Sequence, residues 1–132
     1  MLLFRVGTRV YGCGIGDVRE IVPYRPATRL PGAPEFVQGL INLRGVIATV
    51  LDLGAWIEPG AGTREGSIVL VEQGARQVGL VVDEVLDVQA IVPEPLEDVA
   101  GARGGVLRGV GRLHDTVVIL LDVGRLVGQV LA

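Results

Sequence analysis

Short apolar runs, each cut by glycine, proline or a charged residue, set the rhythm of this chain. Residues 2–6 and 10–13 are two such runs on either side of Gly7-Thr8, and they predict two strands joined by a turn. Ile15, Val18 and Ile21 recur at intervals of three, which predicts a short helix over 15–21 that Pro23 ends. A brief strand is expected over 27–30, a loop at Pro31-Gly32-Ala33-Pro34, and one helical turn over 35–38 with Pro34 at its start. Residues 40–43 and 46–51 flank Arg44-Gly45 and predict a hairpin, because an X-Gly pair between apolar runs suits a tight turn. A helical turn over 53–57 and a glycine-rich loop over 59–65 follow. A second hairpin is expected from 68–72 and 77–82 around Gly74, then a strand over 86–92 that Pro93-Glu94-Pro95 breaks. After a loop over 98–105, residues 107–113 and 117–121 predict the last hairpin. Val123, Leu126, Val127 and Val130 share one face and predict a terminal helix over 123–131.

The second half of the chain echoes the first. Shifted by 70 positions, Gly39 meets Gly109, Leu43 meets Leu113, Leu51-Asp52 meets Leu121-Asp122, and Gly54 meets Gly124. Shifted by 67, Gly7 meets Gly74, Arg9 meets Arg76, Gly12 meets Gly79, and Val18 meets Val85. The matched positions include the turn glycines that a hairpin most needs. The expectation is one domain over residues 1–132 with pseudo-duplicated halves, about 1–62 and 66–132. Halves of roughly 65 residues are near the lower limit for an independent core. They are therefore expected to share a core and leave a groove between them.

Composition sharpens this picture. Two Phe, two Tyr and one Trp leave the core to Val, Leu and Ile, which favours strands. The net charge is −3, Lys is absent and the Arg residues are scattered, so no basic stripe for nucleic acid exists. The single Cys13 cannot form an internal disulfide, which fits a reducing compartment. Residues 1–6 show no signal-peptide pattern. Mean hydropathy is high, at +0.51, yet every apolar run is interrupted well short of the ~20 residues of a membrane span. A soluble, cytoplasmic protein without direct membrane insertion is expected.

Catalytic chemistry is sparse. His114 aligns with Arg44 in the repeat, which places it at a hairpin tip, where an exposed turn residue is expected in preference to a catalytic base. Cys13 lies in an apolar stretch and reads as a buried structural thiol. Ser67 has no G-x-S-x-G context. Asp83, Glu84 and Asp87 lack the alternating spacing of a calcium loop and read as a solvated acidic face. Gly12-Cys13-Gly14-Ile15-Gly16 lacks the spacing of a dinucleotide loop. No enzyme activity, cofactor or metal is expected, which leaves a binding module.

One segment carries a family resemblance. Gly39-Leu40-Ile41-Asn42-Leu43-Arg44-Gly45-Val46-Ile47, followed by Leu51-Asp52-Leu53, resembles the signature hairpin of CheW domains. Val18-Arg19-Glu20-Ile21 resembles the family's short helix. Leu30-Pro31 and Ala33-Pro34-Glu35-Phe36-Val37 resemble the lead into the hairpin. Val78-Gly79-Leu80-Val81-Val82-Asp83-Glu84-Val85 resembles the family's following strand and turn. The likeness runs from about Leu3 to the terminal helix. It departs from the family at Thr49, where a proline is common, and at Gly14 and Gly16, which weaken a helix.

The resemblance implies a mainly β fold of two intertwined five-stranded SH3-like barrels sharing a core, with short helices and a C-terminal helix. It implies an adaptor that couples the regulatory domain of a CheA-type histidine kinase to the cytoplasmic tip of chemoreceptors, held at membrane receptor arrays through those partners. By the same resemblance, interaction residues are expected at Val18, Glu20, Asn42, Arg44, Gly45, Val81, Val82 and Asp83. Val18 and one of Val81 and Val82 would offer apolar surface to a receptor helix, since strand alternation points the last two to opposite faces. Arg44 would fork onto a partner's carboxylate or cap its helix carbonyls, with Glu20 holding it or touching the partner directly. A scaffold of a pilus-motility or developmental kinase pathway fits the same residues. A small-ligand sensor using the inter-barrel groove is the alternative of a different class, with few convergent polar groups to support it.

Overall fold

The computed structural model describes residues 1–57, 65–94 and 105–131. Ten strands and two short α-helices account for most of them. In chain order the strands are β1 (Leu2–Val6), β2 (Arg9–Cys13), β3 (Val18–Pro23), β4 (Val37–Leu43) and β5 (Val46–Asp52). After α1 (Leu53–Ile57) come β6 (Ser67–Gln73), β7 (Arg76–Val82), β8 (Glu84–Val88), β9 (Leu107–Leu113), β10 (Thr116–Leu121) and α2 (Val123–Val130).

These strands form two five-stranded sheets. Sheet I has the order β8-β1-β2-β10-β9 and sheet II the order β3-β6-β7-β5-β4. Each has a central antiparallel hairpin, β1–β2 or β6–β7, with a parallel contact to a second hairpin, β9–β10 or β4–β5. Both halves of the chain contribute to both sheets: β1 and β2 join β8, β9 and β10, whereas β3, β4 and β5 join β6 and β7. This is the exchange of strands expected of two intertwined SH3-like barrels.

Side-chain alternation sorts the core into three parts. Ile41, Ala48, Val50, Ile68, Leu70 and Val81 fill the inner side of sheet II. Leu3, Ile91, Val118 and Leu120 do the same for sheet I. The largest cluster lies between the sheets. It takes Leu2, Phe4 and Val6 from β1, Leu80 and Val82 from β7, and Leu126 and Val127 from α2. No barrel therefore owns its whole core, and separating the sheets would expose the largest apolar cluster. The two helices begin alike. Asp52 Oδ1 accepts the Ala55 N–H at 3.1 Å, and Asp122 Oδ1 accepts the Arg125 N–H at 3.0 Å. Each aspartate caps the first turn after the strand it ends.

Several elements differ from the sequence expectation. The helix over 15–21 is instead a 3-10 turn at Ile15–Asp17 followed by strand β3. A bulge explains the misleading spacing. Val18 pairs with Val71 and Ile21 with Val69, so three residues on β3 span two on β6, and both side chains reach one face. A three-residue interval in a bulged strand thus imitates a helical one. The brief strand at 27–30 is a single bridge, Thr28 to Leu40. The helical turn at 35–38 is a turn closed by the Val37 N–H to the Pro34 carbonyl, and β4 starts at Val37. The strand at 86–92 starts earlier and ends at Val88, because Ile91 leaves the edge to plug the inner side of sheet I. Most of the loops at 59–65 and 98–105 lies outside the described residues.

Candidate functional site

The β4–β5 turn is built for a charged tip. Arg44 has φ 52° and Gly45 φ 84°, the two positive angles that match a hairpin's twist. Asn42 Oδ1 accepts the Gly45 N–H at 2.9 Å and ties the turn closed. Arg44 keeps its hydration here and suffers little desolvation, since its side chain is 78% exposed. Its Nη2 lies 2.5 Å from Glu20 Oε1, and the Glu20 side chain is only 23% exposed.

Glu20 is on edge strand β3, opposite Leu70 of the sheet II interior. The ion pair therefore closes the end of that barrel. Beneath it is a cavity of about 150 Å³ lined by Arg19, Glu20, Leu43, Arg44, Val46, Leu70 and Gln77. Arg19 does not compete for Glu20, because it pairs with Glu72 at 3.2 Å.

Exposed apolar side chains flank the tip. Ile47 is 61% exposed and pairs across the hairpin with Asn42, and Val46 is 42% exposed. Val18 is half-buried against the shared core. It also lines a separate open cavity of about 480 Å³ with Asp17, Arg19 and Glu72. Ile21, on the same face of β3, is 42% exposed. Ile21 and Ile47 are not among the site residues expected from the sequence, since nothing in the local pattern marks which apolar side chains of a strand stay exposed. Arg25 was also missed. Its guanidinium donates to the Asn42 carbonyl beside the tip.

Three of the expected site residues are placed elsewhere. Val81 and Val82 do face opposite sides, but both are fully buried, Val81 inside sheet II and Val82 in the shared core. Neither side chain presents apolar surface to a groove. Asp83 joins the two sheets. Its Oδ2 accepts Arg5 Nη1 at 3.3 Å and the Gly7 N–H at 3.2 Å, and its own N–H donates to the Arg5 carbonyl at 3.0 Å. With its side chain 7% exposed, Asp83 holds the β1–β2 turn against the end of β7. Glu84 reaches the same Arg5 at 3.4 Å, so two of the three neighbouring acidic residues serve an internal tie.

The remaining reactive groups have structural surroundings. Cys13 is buried in the shared core, where desolvation, reinforced by nearby Asp17, pushes its thiol up to about 12. A thiolate nucleophile is not formed there at neutral pH. Burial, followed by the charge of Glu65, also raises the Tyr24 hydroxyl, which donates to Gln38 Oε1 at 3.3 Å. His114 sits at φ 54° on the exposed β9–β10 tip, matching Arg44 in position. Among the described residues no cluster of His, Cys, Asp or Glu could hold a metal ion. No helix among them is long and apolar enough to cross a membrane.

The CheW-like domain family model matches residues 1–130. The chain belongs to the CheW-like domain family. Chemotaxis protein CheW of Klebsiella aerogenes is 36% identical over 134 residues, covering 97% of this chain and 81% of that protein. Chemotaxis protein CheW of Rhizobium meliloti is 33% identical over 129 residues, covering 93% and 83%. Among solved structures, the scaffolding protein TtCheW of Thermoanaerobacter tengcongensis superposes with a TM-score of 0.74 at 31% identity, covering 92% of this chain and 82% of that one. The signature hairpin of this CheW-like chain is the β4–β5 tip, and its family segment over 78–85 contains the Asp83 tie.

Proposed function

We propose that the chain is a non-enzymatic adaptor that couples a CheA-type histidine kinase to chemoreceptors, working in the cytoplasm at receptor arrays. The observation that carries this reading is the Arg44 tip. A rigid turn presents an exposed guanidinium, oriented by Glu20, just before the exposed Val46 and Ile47 of β5. Such a surface recognises another protein by a charge-assisted contact beside an apolar one. The names of the relatives, chemotaxis and scaffolding proteins, support the same reading. The buried Cys13 and the exposed His114 support a binding role over catalysis. In this reading the chain is one domain formed by duplication, with halves of about 1–62 and 66–132 that each lend strands to both barrels.

Within this proposal Arg44, Glu20, Asn42 and Gly45 form the polar contact, and Val18 adds apolar surface. Val81, Val82 and Asp83 act indirectly, by fixing the frame that carries them. A pull-down from native lysate with the tagged full chain tests the reading. Recovery of a histidine kinase and a coiled-coil receptor is expected. Recovery of neither with a folded bait overturns it.

A further inference from the structure

Arg25 stands in a segment with little freedom. Pro23 and Pro26 fix φ on either side of it. Tyr24 is tied by its N–H to the Gly66 carbonyl at 3.3 Å and by its hydroxyl to Gln38. Two hydrogen bonds of 2.8 Å then join Thr28 to Leu40 of β4. This strap brings the Arg25 guanidinium to the carbonyl of Asn42, the residue whose side chain closes the Arg44 turn.

The charges around the tip do not balance. Glu20 is engaged by Arg44, and Glu72 by Arg19. Arg25 meets no carboxylate among the described residues and is held only by a neutral carbonyl. A protein of net charge −3 thus carries, beside an exposed turn followed by the exposed Val46 and Ile47, a guanidinium that no carboxylate among the described residues neutralises. A guanidinium has five donors, and one carbonyl leaves most of them open.

We infer that Arg25 is a specificity-determining residue of the tip, where it receives an Asp or Glu of the partner protein that lies beside an apolar residue seated on Ile47. This deepens the adaptor reading and rests on it. The pre-set strap lowers the entropy lost when the contact forms, and Arg44 and Arg25 together favour an acidic segment over a basic one.

Binding is measured for the full chain against two purified probes from the same organism, the regulatory domain of its CheA-type kinase and a receptor cytoplasmic fragment. Arg25→Glu is expected to weaken binding to at least one probe about ten-fold or more, and Arg25→Ala less. The wild-type affinity is also expected to fall more steeply with salt than that of Arg25→Ala. Arg29→Glu lies on the same strap but along the cavity formed with Tyr24, Glu35 and Gln38, and should bind as wild type. Unfolding midpoints of all variants are compared first, since each site is exposed. If Arg25→Glu binds both probes like wild type while Arg44→Ala fails, the inference is wrong and the adaptor reading stands. If neither probe binds the wild type, or neither variant has an effect, the site reading falls and the inference with it.

Discussion

Arg44 and Glu20 meet at 2.5 Å although one tops the β4–β5 hairpin and the other lies on edge strand β3. Their contact closes the end of one barrel and fixes the direction of an otherwise free side chain. An exposed pair of this kind contributes about 0–1 kcal/mol to stability. Arg44→Ala and Glu20→Ala should therefore shift the urea midpoint little and yet weaken partner binding. If Glu20 acts by orienting Arg44, the double variant binds no worse than Arg44→Ala alone. Additive losses in a double-mutant cycle would show that Glu20 touches the partner itself.

Asp83 should behave in the opposite way. Asp83→Ala leaves the Gly7 N–H without its acceptor and removes one of the Arg5 guanidinium's acceptors, at a site where the carboxylate is nearly buried. A loss of about 1–3 kcal/mol is expected in urea unfolding, with a smaller loss for Asp83→Asn, which keeps an acceptor oxygen.

Val81→Ala and Val82→Ala each remove two buried methyl groups, from different clusters. Each should cost roughly 1–3 kcal/mol. Their binding defects should disappear at low temperature or with stabilising solutes, which restore the folded fraction. A binding defect that persists in the fully folded variant would mean that these side chains reach the surface after all.

Gly39 has φ 142°, and a Cβ there would run into the Thr28 carbonyl that bridges to Leu40. Gly39→Ala should cost roughly 2–4 kcal/mol and loosen the strap that carries Arg25. Gly74→Ala, in open space at φ 61°, should cost only about 1–2 kcal/mol. Thermal unfolding of the two variants side by side tests the difference.

Cys13 links stability to alkaline pH. Its folded-state value of about 12 lies above the ordinary 9.0, so the fold favours the protonated thiol. That contribution is fully present below about pH 9 and is lost as pH rises from there through about 12. Wild-type stability should therefore fall more steeply than that of Cys13→Val across this range. Thiol alkylation of the native protein at pH 8 should be much slower than that of the unfolded chain.

Hairpins were the most legible part of the fold. Apolar runs around Gly7-Thr8, Arg44-Gly45, Gly74 and His114-Asp115 gave all four turns, because local sequence alone sets a tight turn and the strands beside it. The terminal helix was equally readable from one apolar face. Strand β3 was not, since the bulge that sets Val18 and Ile21 on one face exists only against β6. The site divided in the same way. Asn42, Arg44 and Gly45 belong to a local turn, and their residue types already fixed their geometry. Asp83 looked like surface because acidic residues usually are; only the approach of Arg5 and Gly7 from another sheet turned it into a buried tie.

The sequence by itself determined the hairpin turns, the terminal helix with its apolar face, the internal repeat that matches Asp52 to Asp122, and the family. Tertiary structure decided which strands share a sheet, that Val81 and Val82 are both buried, and that Arg44 finds Glu20 while Arg25 meets no carboxylate among the described residues. The physical reason is range. Turn geometry and alternation act over a few residues and are written where they operate. Sheet order, burial on both faces and ion pairing arise only when distant segments are packed against one another, and the largest core cluster exists only between the two sheets.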